Sequence, residues 1–346
     1  MSAGFDRARL LRRAGMPLAT AAALAGTTAE AGAAVPTQAL REHPRWRFVF
    51  INHATTNPFF VPARYGIEDA AAFFAVDFVW AGSKRSDVGE MVAAMRSAVN
   101  GGADGIAVSV IDPVAFNSLT DAALEKGIPV VSYNADGGRD NRRQAYIGQD
   151  LYQSGLKFGS RIVELVGEGD VLLYIATPGQ LNIQPRVDGA LDAVRDSGRP
   201  IRMHVVATGA DVVAERRKVE QTYRALRRVR GMFAVDGGST QAVAEVMRAH
   251  DLHRKGVRAG GYDLLPGTLE SIAAGRLDFT IDQQPYLQGL LPIQQLFLFR
   301  YSGGLVSPAD TNTGLKFVTR RNVGPYLTTN SRYEGSSGKR KYPVTS

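Results

Sequence analysis

Cysteine is absent from all 346 residues of this chain. That excludes disulfides, thiolate catalysis, cysteine-ligated zinc and an acylated-cysteine lipid anchor. GxxxxGK[ST], GxSxG and HExxH are missing too, so no phosphate-cradling loop, nucleophile elbow or zinc helix is encoded in those forms. His250 and His253, with Asp251 between them, are too few to close a zinc shell. A helix C-terminus, where a cation is favoured, accounts for them. After residue 45 no apolar run is long enough to cross a membrane.

What is present fits a folded chain of two domains at ~150 residues each. Hydrophobic residues make up 45% of it, an ordinary share for a globular protein. The formal charge is +8, but Arg7, Arg9, Arg12, Arg13, Arg332, Lys339, Arg340 and Lys341 sit at the two ends, so the excess does not argue for nucleic acid. Another basic run, Arg216, Arg217, Lys218, Arg224, Arg227, Arg228 and Arg230, flanks a helical apolar stripe of Val219, Tyr223 and Leu226, and reads as a solvated face.

Residues 1–45 read as an export signal and linker. A basic segment ending in Arg12-Arg13 precedes a mildly apolar Ala/Leu/Gly/Thr run, and Ala29, Ala31, Ala33 and Ala34 offer small-residue cleavage sites. The arginine pair suits twin-arginine export into the periplasm. Ala14–Thr20 faintly resembles a helix-turn-helix start, but Ala21–Gly26 supplies no polar side chain to reach base edges.

From Arg45 onward strand and helix signals alternate: strands at 46–51, 75–80, 104–110, 128–133, 170–176, 202–207, 231–235, 257–262, 277–281 and 315–319, with helices at 88–99, 113–126, 151–166, 185–196, 212–229, 239–250, 266–274 and 285–300. This predicts an α/β fold of parallel sheets covered by helices on both faces, with ligands beyond the carboxyl ends of the strands. Those ends are polar in a consistent way. Asn57 follows the first strand, Asp112 the third, Asn134 and Asp136 the fourth. Gln180, Asn182 and Arg186 follow 170–176; Asp236 and Asp263 close two later strands; Asp282-Gln283-Gln284 closes another. Asn57-Pro58-Phe59-Phe60 adds two rings, which suit the apolar face of a sugar, while amides and acids suit its hydroxyls. Alone, that tetrapeptide is equally a turn followed by two core phenylalanines, and Asp236 and Asp263 are equally helix caps.

With NPFF at 57–60, Gly-Ile-Pro-Val-Val-Ser-Tyr-Asn at 127–134, Gly-Tyr-Asp at 261–263 and Thr-Ile-Asp-Gln-Gln-Pro at 280–285, the chain resembles the type I periplasmic sugar-binding proteins of ABC importers, the ribose-binding-like family, over residues 46–320. The resemblance implies two Rossmann-like doubly wound lobes, 46–149 plus 285–311 and 150–284 plus 312–330, joined by a three-segment hinge and followed by a flexible tail at 331–346. It implies that Asn57 bonds a hydroxyl, Phe60 stacks on the ring with Phe59 beside it, Arg186 gives a charge-assisted contact, and Asp236, Asp263 and Gln283 hold hydroxyls. Asp112, Asn134, Asp136 and Asn182 complete the candidate set, with Gln184 weaker. Ribose binders carry Asp-Arg where Asn134-Ala135 stand here, and their opposing ring falls on Val212, which cannot stack; a different pentose or small aldose follows. The implied protein is a monomeric, unanchored receptor without cofactor or metal that delivers a monosaccharide to a permease. A sugar-responsive regulator with the same core, or a carbohydrate-active enzyme using paired carboxylates, are the alternatives.

Overall fold

The computed structural model describes residues 42–328 apart from Arg227. Residues 1–41, where an export signal is expected, the expected tail at 331–346 and the side chain of Val212 lie outside the described residues. In chain order the elements are β1 (Arg47–Asn52), a 3-10 turn (Pro58–Phe60), α1 (Val61–Phe73), β2 (Asp77–Gly82), α2 (Val88–Asn100), β3 (Gly105–Val108), α3 (Asn117–Glu125), β4 (Val130–Tyr133) and β5 (Ala145–Gly148). Then come α4 (Leu151–Val166), β6 (Gly169–Ile175), α5 (Gln184–Asp196), β7 (Ile201–Ala207), α6 (Val212–Ala225), β8 (Gly231–Ala234), α7 (Gly237–Ala249), β9 (Arg258–Tyr262), α8 (Pro266–Ala273) and β10 (Phe279–Asp282). The chain finishes with α9 (Pro285–Tyr301), β11 (Thr311–Asn312), β12 (Lys316–Val318) and α10 (Gly324–Thr328).

Two six-stranded sheets result, ordered β11-β5-β4-β3-β1-β2 and β12-β10-β9-β8-β6-β7. All pairings are parallel except that of β12 with β10, so the second sheet ends on an antiparallel edge where a uniformly parallel sheet was expected. The central strands are buried on both faces: Phe48, Phe50, Val108, Val131, Leu173, Phe233 and Ile281 are fully enclosed. That two-sided burial is why they read as continuous apolar runs rather than alternating ones. Each lobe brings one helix pair into close approach through glycine. A Cβ at Gly66 or Gly289 would collide with the backbone of the partner helix where α1 crosses α9, and Gly155 and Gly189 do the same where α4 crosses α5.

The apolar stripe of α6 packs inward through Val219, with Tyr223 and Leu226 against the same core. On its outer side Arg216 pairs with Glu245 and Arg224 with Glu220. His250 Nε2 meets Glu220 Oε1 at 2.8 Å.

The chain leaves the first sheet after β5, returns through α9 after β10, and passes again from β11 to β12. Side-chain amides tie these three passages together. Gln149 Nε2 donates to Gly314 O. Gln288 Nε2 donates to Gln283 O and Thr313 Oγ1, and Thr313 Oγ1 donates to Gln283 O.

Candidate functional site

A cavity of about 570 Å³ lies between the carboxyl ends of the two sheets, a size within the usual range for small-molecule sites. Its first wall is built on the ends of β1 and β4 and the start of α1. Asn57 caps the 3-10 turn by accepting from Phe59 N at 2.9 Å, so the turn places Phe59 and Phe60 side by side with ring centroids 4.7 Å apart. Phe60 is buried against His53 and Trp80, whereas Phe59 is half-buried at the cavity. Asn134 sits just past β4 with a left-handed backbone, φ 63°, a conformation that asparagine adopts at modest cost. Its Nδ2 donates to Gln288 Oε1 at 3.0 Å.

The second wall carries the charge. Arg186, in the first turn of α5, is buried. It donates to Val235 O at 2.9 Å and Gln283 Oε1 at 2.9 Å, and its guanidinium lies 4.2 Å from the centroid of the Tyr262 ring. Asp263 follows β9 in the left-handed region, φ 75°, and accepts from Gln283 Nε2 at 2.7 Å. Burial pushes its carboxyl up to about 6, against the downward pull of Arg186 and of the Gln283 hydrogen bond. Asp236 caps α7 by accepting from Ser239 N and also accepts from Ala176 N. Burial raises its pKa, and those two N–H donors and Arg186 oppose the rise. The cap expected of Asp236 is present, and the same residue lines the cavity. Gln283 closes the floor, joining Arg186, Asp263 and Gln288.

Asn182 reaches the first lobe: its Nδ2 donates to His53 Nε2 at 3.2 Å. Nε2 is therefore the accepting nitrogen, and Nδ1–H donates to Ser109 Oγ at 2.9 Å. Burial pushes the His53 imidazole down to about 3, so it is neutral. Two further bonds bridge the lobes beside this pair, Leu181 N to Ile111 O at 2.9 Å and Gln180 Nε2 to Ser86 O at 3.1 Å.

Of the sequence-predicted residues, Asn57, Phe59, Phe60, Asn134, Asn182, Arg186, Asp236, Asp263 and Gln283 line this one cavity. Asp112 and Asp136 do not, and their expected ligand role is corrected here. Asp112 accepts from Val114 N and Ala115 N, turning the chain into α3. Asp136 takes a two-pronged contact from Arg143 and a bond from Ser132 Oγ, and lies at a separate depression beside Tyr146 and Asp310. Gln184 accepts from Gly179 N and donates to Asp188, which leaves it shaping the loop rather than the cavity. Several contributors were missed, among them three that bear on the site's polar groups. His53 is a lone histidine one residue past β1, Gln288 sits in the first turn of α9, and Glu215 lies on a helix read for its basic face and apolar stripe. The Gly237-Gly238 pair was a usable signal for the last. A Cβ at Gly238 would collide with the Glu215 carboxyl, and one at Gly237 would stand 2.9 Å from Asp263 Oδ2.

Three buried side-chain atoms with no hydrogen-bond partner, Asn182 Oδ1, Arg186 Nε and Glu215 Oε2, belong to residues of this cavity. A structure rarely leaves such groups unmatched except where something else satisfies them.

The family model described as "Periplasmic binding protein domain" matches residues 48–298. The chain belongs to the periplasmic binding protein family. A xylose/arabinose-binding protein of Sulfolobus acidocaldarius is 50% identical to this periplasmic binding protein over 310 residues, spanning 86% of this chain and 76% of that one. Among solved structures, an ABC transporter solute-binding protein of Burkholderia graminis in complex with D-arabinose superposes with a TM-score of 0.77 at 25% identity, covering 83% of this chain and 99% of its own. A solute-binding protein of Agrobacterium vitis with bound D-fucose gives 0.76 at 20% identity, covering 80% and 97%, and supports the fold. This periplasmic binding protein thus has the two-lobed, doubly wound type I architecture that its sequence led us to expect.

Proposed function

We propose that this periplasmic binding protein is an exported receptor. It captures a monosaccharide, a pentose or another small aldose, between its lobes and delivers it to the permease of an ABC importer. The supporting observation is the set of unmatched polar atoms on one cavity wall, Asn182 Oδ1, Arg186 Nε and Glu215 Oε2, facing a wall with the Phe59 and Phe60 rings. Hydroxyls satisfy acceptors and donors at once, and C–H faces lie on rings. The relatives whose names or bound ligands are xylose, arabinose and fucose point to the same ligand class. Capture proceeds by closure: the ligand held by one wall draws in the other, and the bonds around Ile111, Ser86 and His53 seal the mouth. Both oxygens of Asp236 are occupied by backbone N–H groups and one of Asp263's by Gln283, which favours holding a sugar over transferring a proton to it.

Thermal shift against xylose, arabinose, galactose and fucose tests this reading. A sugar at 100 times its dissociation constant adds about 2.7 kcal/mol of stability. In calorimetry Asp263→Ala should weaken that sugar by about 1–3 kcal/mol, the cost of a lost charged hydrogen bond. Absence of any shift across the panel, or unchanged affinity in Asp263→Ala, counts against it. N-terminal sequencing of secreted protein tests export, since a cytoplasmic regulator would keep residues 1–45.

A further inference from the structure

Glu215 is a carboxylic acid with one oxygen that has nothing to bond. It stands on the first turn of α6, is 3% exposed, and lines the sugar cavity. Its Oε2 is buried without a partner. Gly238, at the start of α7, lacks a side chain where the Glu215 carboxyl packs. A carboxyl serving only to fill space would be better replaced by an apolar side chain, because an unmatched buried polar group is costly.

The charges around it are mostly of its own sign. Asp211 precedes it on the α6 cap and Asp236 faces it from the end of β8, while Asp263 lies further along the same wall. The cations of the cavity are engaged elsewhere or stand on the other lobe. Arg186 is held by Val235 O and Gln283, Arg85 pairs with Glu90, and Lys84 lines the cavity from the loop after β2. Asp236 has two backbone donors to support a negative charge and Glu215 has none, so a proton shared by this wall rests on Glu215. Burial, with Asp236 and Asp211 adding to it, pushes the Glu215 carboxyl up to about 8.

We propose that Glu215 is a ligand-recognition residue: as a neutral acid it donates a hydrogen bond from the second-lobe wall to an oxygen of the captured sugar. This rests on the sugar-binding reading above. The chemistry gives it a distinct task. Asp236 and Asp263 as carboxylates only accept, and a sugar's ring oxygen also only accepts. Asn182 Nδ2 and Gln283 Nε2 donate to His53 and Asp263, so a protonated Glu215 adds a donor beside Arg186 on the acid-rich part of this wall.

Calorimetry from pH 6 to 9 with xylose and arabinose on the whole protein decides it. Wild-type affinity should be highest near pH 7, above the value of about 6 at Asp263, and fall about ten-fold by pH 9 as Glu215 loses its proton, with proton uptake on binding near pH 8.5. Glu215→Gln keeps a donor that does not titrate, and should bind with affinity constant within three-fold across the range and with no proton uptake. Glu215→Ala should bind at least ten-fold more weakly at pH 6.5. The proposal is overturned if Glu215→Ala, folded by its thermal midpoint, binds within two-fold of wild type, or if Glu215→Gln shows the same alkaline loss. Wild-type protein that binds neither these sugars nor any in the wider panel would sink the sugar reading itself, a separate result from failure of Glu215 alone.

Discussion

The two walls of the cavity are built at matching places in two sheets of matching strand order, yet they carry opposite chemistry. Asn134 follows β4 and Asp263 follows β9, both with left-handed backbones, φ 63° and 75°. One is a neutral amide bonded to Gln288; the other is a buried acid bonded to Gln283. Among the described residues the first wall presents rings, amides and a neutral histidine, with Lys84 and Arg85 as its charges and no carboxylate. The second presents Asp211, Glu215, Asp236 and Asp263 around Arg186. A sugar has one apolar face and a polar rim, and under the proposed function two walls of matching strand order but different chemistry would serve both at once.

If the second wall is organised by its buried cation Arg186, Arg186→Met should have the largest effect. Asp236 and Asp263 lose the cation that lowers their pKa, and Gln283 loses a donor. Stability should drop by roughly 3–5 kcal/mol in denaturant, as when one member of a buried charge set is removed, and sugar affinity should fall by at least 100-fold, about 2.7 kcal/mol. Near-normal affinity in this variant would erase the distinction between the walls.

The pH response divides the walls next. His53, on the first wall, is held near 3, below its ordinary value of 6.5. Between those values only the unfolded chain binds the proton, so stability falls as pH drops through that window, by a few kcal/mol at most on the order of 1.4 kcal/mol per unit. Glu215, on the second wall, is raised from 4.5 to about 8. There the folded chain holds the extra proton, so stability falls as pH rises from 4.5 towards 8. Thermal melts across pH should lose the acid-side slope in His53→Gln and the neutral-to-alkaline slope in Glu215→Gln. A single variant that flattens both slopes would contradict the separation.

The smallest effect belongs to Phe59. It is half-buried, unlike Phe60 in the core, so Phe59→Ala should cost about 1–2 kcal/mol of affinity through lost apolar contact with little change in stability. A large loss of stability with intact affinity would move the ring from the ligand to the core.

Much of this architecture was legible because strands buried on both faces are written as short apolar runs bounded by turn residues, and their carboxyl ends mark where polar side chains gather. The same logic overreached at Asp112 and Asp136. Position at a strand end does not say whether a carboxylate turns toward the cavity, back onto its own turn or onto an arginine such as Arg143. α1 was missed because Val61–Phe73 is rich in alanine with apolar residues on all sides, so no stripe stands out. The strand β11, with two residues, is too short for any periodicity. Glu215 was overlooked because a run of basic neighbours on α6 reads as a solvated surface, while one acidic position in it faces inward.

The amide ladder across the three passages has a mechanical meaning. Gln283 bonds Arg186 and Asp263 on one side and Gln288 on the other, and Gln288 bonds Asn134 and Thr313. On the proposed reading, the groups that would grip the ligand and the three passages between the sheets are therefore one hydrogen-bonded piece. Swinging the halves apart strains the grip directly, so how long a sugar stays bound and how stiff the pivot is should rise and fall together when Gln288 or Thr313 is trimmed.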